Sequence, residues 1–374
     1  MKKVISLLLA AVMVLSLAAC AGNSQPAESN DTEAAVSAET SAPETTQPQE
    51  PETVTITALN GNKEEVQIEV PYNPQRIAIL DFAALDAIDN LGLGDRVVGT
   101  ATTTLDYLMP YTQKDGVAIL GNIKEADLEA VMGCEPDIIF IGGRLSAYYD
   151  DLNEIAPVVF LATTTEEGVV ESTRRIATTI ASIFGLDDEI ADKMAGFDSR
   201  IAALAAAAEG KTAVVGMCTS GSFNVLGDDG RCSIIGREIG FNNLSNGVVS
   251  ETSSQGGEGG RGGSGEGGRG GSGEGGGSGQ SSGGTSTHGN EASFELIVSL
   301  APDYIFVMDR DSAIGTEGAQ LAKEIMENEL VMSTDAYKNG NLVILEHSNA
   351  WYTAEGGITA LDYMLQDLEG ALLN

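Results

Sequence analysis

The sequence predicts an α/β protein of two Rossmann-like lobes, each built on a central, largely parallel sheet. A long rigid α-helix joins them and a ligand cleft lies between. Three observations predict this. First, a unit beginning at Glu129 recurs at Glu295, 166 residues on: Pro136, Asp137, Ile139, Phe140 and Arg144 match Pro302, Asp303, Ile305, Phe306 and Arg310. Second, short apolar strand patterns alternate with helical ones, which suits parallel sheets covered on both faces. Third, no flexible linker divides the halves. Val169, Ile176, Ile180, Ile183 and Phe184 fall on one helical face, and only Gly185 precedes a second helical run over 188–208.

Along the chain, alternation over 53–70 with Asn60-Gly61-Asn62 in the middle predicts a hairpin. A strand over 76–80, a helix over 82–91 and a strand from 94 to 99 follow, then the first repeat, a helix over 145–155 and a strand over 157–161. After the bridge come strands over 212–217 and 224–227 and a helix over 233–239. The second repeat leads to a helix over 320–330, a strand over 342–345 and a closing amphipathic helix over 358–373. Each repeat runs from a short helix through Pro-Asp into a strand that ends at an arginine. That puts a cation at the carboxyl end of a strand in each lobe, the edge where open α/β sheets bind ligands.

Two stretches stand apart. Residues 1–19 carry Lys2 and Lys3, then an apolar run too short to span a bilayer comfortably, the pattern of a secretory signal. Leu17-Ala18-Ala19-Cys20 resembles a bacterial lipobox, which implies cleavage before Cys20 and a lipid on that cysteine. From 21 to 52 there are seven acidic and no basic residues among Ser, Thr, Ala, Pro and Gln, a disordered tether. The other stretch, about 255–284, repeats Gly-Glu-Gly-Gly-Arg-Gly-Gly-Ser, with Glu258, Glu266 and Glu274 eight residues apart. Such glycine density has no core and reads as filler in a surface loop. The predicted division is thus 1–19 signal, 20–52 lipidated tether, 53–165 first lobe, 166–186 bridging helix and 187–374 second lobe with the insert.

Composition narrows the function. A net charge of −35 argues against nucleic acid or anionic lipid as the main partner. It also makes each arginine at a strand end or loop informative: Arg144, Arg231 and Arg310. A guanidinium is always charged and presents a planar fork of donors to anionic oxygens. Two histidines, His288 and His347, are too few for a three-histidine metal site. The pattern points to a binding protein without a cofactor, not an enzyme. Whether Cys218 and Cys232 pair is left open by their spacing.

The chain resembles the periplasmic binding proteins of iron-siderophore ABC transporters, specifically the ferric-catecholate (enterochelin- and petrobactin-type) branch. The resemblance runs from about Val54 to the C-terminus without the insert. It rests on Asn73-Pro-Gln-Arg-Ile-Ala-Ile-Leu80, Gly143-Arg144-Leu-Ser-Ala-Tyr-Tyr149, Leu152-Asn-Glu-Ile-Ala-Pro157, Thr287-His288-Gly289, Pro302-Asp303 through Arg310, and Ala350-Trp351-Tyr352. It implies the type III substrate-binding fold and a lipid-anchored, extracytoplasmic monomer that passes a ferric siderophore to an ABC permease. It further implies that Arg144, Arg231 and Arg310 meet catecholate oxygens, with aromatic contact from Trp351 or Tyr352. His288 and Tyr352 would ligate ferric iron when the siderophore supplies only two catechols, chemistry suited to a hard cation. Glu129 and Glu295 would dock on the permease. A relative carrying heme, cobalamin or a hydroxamate siderophore, and an adhesin or sensor on the same scaffold, are the alternatives.

Overall fold

Alternate residues of the central strands serve different cores, and this period of two sets the layering. In the strand Ile138–Ile141, Ile138 and Phe140 enter a core shared by both lobes, while Ile139 and Ile141 enter a core private to the first lobe. In Tyr304–Asp309, Tyr304, Phe306 and Met308 face the shared core; Ile305 and Val307 face one private to the second lobe. A computed structural model describes residues 51–248 and 290–373. The signal segment, Cys20, nearly all of the tether, the glycine-rich insert and His288 lie outside the described residues.

The first lobe holds β1 (Thr53–Leu59), β2 (Glu65–Pro71), β3 (Ile77–Ile79), β4 (Val97–Thr100), β5 (Ala118–Ile119), a small hairpin of β6 (Gly121–Asn122) and β7 (Glu125–Ala126), β8 (Ile138–Ile141) and β9 (Val158–Phe160). Its sheet order is β2-β1-β9-β8-β3-β4-β5, parallel from β9 to β5 and antiparallel where the predicted hairpin β1–β2 joins. The second lobe holds β10 (Thr212–Thr219), β11 (Ser222–Val225), β12 (Asn242–Asn243), β13 (Asn290–Glu291), β14 (Tyr304–Asp309) and β15 (Leu342–Ile344). Its order is β13-β11-β10-β14-β15, with β12 also on β10, and β10, β14 and β15 run parallel.

The repeat has a structural cause. Asp137 accepts the backbone N–H groups of Gln75 and Arg76, each at 2.8 Å, just before β3, the neighbour of β8. Asp303 accepts the Thr212 N–H at 2.8 Å at the start of β10, the neighbour of β14. In both lobes the Pro-Asp carboxylate sets the start of the adjacent parallel strand. The preceding helices also match: Asp127 caps Leu128–Gly133 and Ser293 caps Phe294–Leu300, placing Glu129 and Glu295 at the same exposed position of the first turn.

The bridging helix is Val169–Phe184, inside the predicted 166–186. It stops at Gly185, whose φ of 67° is left-handed and where a Cβ would come within 2.2 Å of the Tyr72 hydroxyl. A second helix, Asp187–Ala208, follows with three acids in its first turn. Both helices feed the shared core, through Ile176, Ile180 and Ile183 and through Ile190 and Met194. Some predicted elements are shorter than their patterns. Residues 145–155 divide into a 3₁₀ segment, Gly143–Tyr148, and a helix, Tyr149–Asn153; residues 320–330 divide at Glu327 into Ala322–Met326 and Glu329–Ser333. No described helix is long and apolar enough to cross a membrane.

The closing helix, Ile358–Leu372, fastens the lobes together. Its first turn is capped across the molecule by Asp86 of the helix Phe82–Asn90, which accepts from Thr359 N at 3.0 Å and Ala360 N at 3.1 Å. Arg200 of Asp187–Ala208 clamps it from outside through Glu369 at 2.6 Å and through Asp362. Asp86 is fully buried, and burial pushes its carboxyl up to about 6 against the lowering effect of its hydrogen bonds. The folded state therefore holds this proton more tightly than the unfolded chain. The Asp86 contribution to stability falls as pH rises from about 4 to about 6. Urea unfolding of Asp86→Asn, compared with the native protein, should show the variant gaining across that window and no further change above about pH 7. Asp86→Ala should cost about 1–3 kcal/mol by stranding buried N–H groups.

Candidate ligand-binding cleft

Two adjoining cavities, of about 600 and 1010 Å³, open between the lobes, and Arg144, Arg231 and Tyr352 line both. Arg144 stands in the 3₁₀ segment after β8. Arg310 follows β14 directly and lines the larger cavity. The strand ends thus deliver one arginine from each lobe, as the repeat predicts. Arg231 comes from the turn before the short helix Ile234–Arg237. Tyr352 lies on the helix Ser348–Thr353.

Tyr352 organises the cations. Its hydroxyl accepts from Arg310 Nε at 2.8 Å and its backbone carbonyl accepts from Arg231 Nη1 at 2.7 Å. The Arg231 guanidinium stands 4.2 Å from the ring centroid and that of Arg310 5.3 Å from it. Arg310 has further partners in Thr219 at 3.2 Å and the buried Asp311 at 3.6 Å. Arg231 faces Glu355 at 3.8 Å, and its Nε is buried without a hydrogen-bond partner among the described residues. Arg144 makes no hydrogen bond or close ion pair among the described residues. Burial, and next the Arg231 charge, hold its guanidinium below the usual range. Like cations lining one cavity, with donors unspent, favour an anion between them.

The walls carry residues that sequence reasoning did not single out. Lys63, at φ 65° in the β1–β2 turn, lines the smaller cavity, and Lys124, in the β6–β7 turn, lines the larger. Opposing them are Asp81 and Glu355 in the smaller cavity and Glu125 in the larger. Asp81 caps the helix Phe82–Asn90 through Ala84 N at 2.9 Å. It packs so tightly on Gly142 that a Cβ there would meet its Oδ2 at 2.2 Å. Burial pushes the carboxyls of Asp81 and Glu355 up; for Glu355, Arg231 and Arg144 pull the other way. The scarcity of basic residues was the available signal for both lysines. The reasoning that makes Arg144, Arg231 and Arg310 informative applies equally to lysines in turns.

Trp351 does not reach the cavities. It is 1% exposed, and its indole donates to Asp367 Oδ2 at 2.8 Å beneath Tyr352, while His347 Nδ1 lies 2.7 Å from the other Asp367 oxygen. Cys134, Cys218 and Cys232 are all free and buried, so the open question of a Cys218–Cys232 bridge is answered in the negative. Among the described residues no group of three His, Cys, Asp or Glu side chains could hold a metal. Glu129 and Glu295 sit on the surface, away from the cleft linings.

A family profile described as periplasmic binding protein matches residues 77–256 and 276–348. The chain belongs to the periplasmic binding protein family. It is 30% identical to the petrobactin-binding protein YclQ of Bacillus subtilis over 306 residues, 81% of this chain and 84% of that one. The YclQ crystal structure matches this periplasmic binding protein with a TM-score of 0.70 at 29% identity, covering 87% of this chain and all of the other. The catecholate-siderophore binding protein VctP of Vibrio cholerae matches at a TM-score of 0.68 and 27% identity, over 85% of this chain and 100% of its own. The probable siderophore-binding lipoprotein YfiY of Bacillus subtilis is 27% identical over 80% of this chain and 83% of its own. The two solved structures share the two-lobed α/β fold expected from the sequence.

Tyr352→Phe should leave the ring in place and strand the Arg310 Nε donor. Chemical denaturation is expected to register a loss of about 1–2 kcal/mol.

Proposed function

We propose that this protein captures an anionic ferric siderophore of the catecholate type in the interlobe cleft and passes it to an ABC permease for iron uptake. The observation that carries this reading is the convergence of Arg144, Arg231 and Arg310 around Tyr352 in a chain of net charge −35. A protein so acidic needs a local reason to attract an anion. Ferric catecholates supply it, since phenolate oxygens suit a hard trivalent cation and leave the complex negative. YclQ and VctP, by their names, bind ligands of this class.

In this reading the arginines pair with catecholate oxygens and the Tyr352 ring gives aromatic contact. Lys63 and Lys124 add attraction at the rims. Binding breaks no bond in the ligand. Tyr352, with His288 delivered from outside the described residues, completes the iron coordination of a bis-catecholate. Glu129 and Glu295 form two equivalent acidic contacts for the permease. Cys20 carries the lipid that holds the protein at the outer face of the membrane.

Intrinsic fluorescence tests the ligand directly, because the only tryptophan, Trp351, adjoins Tyr352. Preformed ferric bis- or tris-catecholate should quench it at micromolar concentration or below, and heme, cobalamin and ferric hydroxamates should not compete. Absence of quenching would sink the reading. Arg144→Ala combined with Arg310→Ala should weaken binding by about a hundredfold or more, and raised salt should weaken native binding. Reversing both Glu129 and Glu295 to Lys should leave quenching unchanged while abolishing iron uptake by cells that depend on this protein.

A further inference from the structure

Glu355 places a carboxylate on the wall of a cleft built from cations. It lines the smaller cavity beside Arg144 and Arg231, with its Oε2 3.8 Å from Arg231 Nη1, an ion-pair distance too long for a hydrogen bond. The two side chains are only 18% and 11% exposed, so solvent screens the pair weakly. Among the described residues the Glu355 carboxylate makes no hydrogen bond, and no helix or turn depends on it. Glu238, whose charge also bears on Glu355, accepts from the Val170 backbone and leaves its Oε2 buried without a partner among the described residues; two further buried acids near the cleft have structural duties. Asp81 caps a helix, and Asp311 accepts from Ser220 N at 2.6 Å and Thr316 Oγ1 at 3.3 Å.

The backbone also keeps this charge where it is. Gly356 has a φ of 99°, and a Cβ there would lie 2.9 Å from Thr163 Cγ2; one on Gly357 would lie 2.3 Å from Asp86 Oδ2. The loop after Ala354 is wedged against the first lobe, and the next residues are held by Asp86. The backbone that carries Glu355 is therefore held beside the first lobe.

We propose that Glu355 is a charge-selecting residue of the cleft, penalising ligands in step with their negative charge and favouring a ferric bis-catecholate over a more highly charged tris-catecholate. The inference rests on the siderophore reading above. Burial pushes this carboxyl up while Arg231 and Arg144 pull it down; in its ionised form it offsets part of the arginine field, and its repulsion grows with each charge added to the ligand. Three arginines without it would favour the most negative complex available. With it, affinity for the tris-catecholate is reduced more than affinity for the bis-catecholate.

The test compares native protein, Glu355→Gln, Glu355→Met and Glu355→Asp at pH 8, titrated with preformed ferric bis- and tris-catecholate. Two neutral variants are used so that either folded one reports. The neutral variants should tighten tris-catecholate binding by about tenfold more than bis-catecholate binding, and Glu355→Asp should keep the native ratio of the two. An equal shift for both complexes, weakening of both, or an aspartate variant that behaves like glutamine would overturn the charge-selection role while leaving the siderophore reading intact. Failure of both complexes to quench the native protein would remove the siderophore reading and this inference with it.

Discussion

A single buried carboxylate, Asp86, decides how the lobes sit. It belongs to a helix of the first lobe and caps the closing helix of the chain, far along the sequence. Buried charge is costly unless hydrogen-bonded, and the N–H groups of a helix start are donors that need an acceptor. Each need answers the other only when the lobes are in this orientation. Asn90 donates to the same carboxylate at 2.7 Å and to Thr359 at 2.9 Å, so the joint is a small network. The shared core behind it, filled by the two bridge helices, then supplies the apolar burial that makes the orientation stable.

The cleft inherits its shape from that joint. Tyr352 and Glu355 lie just ahead of the closing helix, and Arg144 lies just past the end of β8 in the first lobe. The tyrosine acts as a platform whose carbonyl, hydroxyl and ring face each engage a guanidinium, which keeps two cations close without an acid between every pair. The protein as a whole repels anions. At physiological salt that repulsion fades over about 8 Å, whereas the arginines act at contact distance in a partly dry wall. Local charge can therefore outweigh the global balance.

Much of this was legible in the sequence because the repeat records a structural duty twice. Asp137 and Asp303 each anchor a neighbouring strand, and that constraint fixes the strand end from which Arg144 and Arg310 project. Hairpin, bridge and closing helix followed from periodicity. What sequence did not resolve depends on contacts between distant segments. Lys63 and Lys124 stand in hairpin turns, and only the packing of two hairpins against the cleft makes them wall residues. Trp351 and Tyr352 are neighbours in sequence, but helical geometry sends one indole to Asp367 and leaves the other ring in the cavity. Glu355 resembled any loop acid until Asp86 and Thr163 pinned its loop.

The continuous core bears on how such a cleft lets go of what it holds. Two lobes on loose strands breathe apart often, and their contents leave at the rate of that breathing. Here, opening requires bending two helices whose apolar faces are buried in both lobes, together with the capped start of a third. In the siderophore reading proposed above, such a cleft is a preformed mould, which loses little entropy on filling and gives up its contents slowly. In that reading, rapid emptying calls for work supplied from outside, applied where each lobe can be gripped.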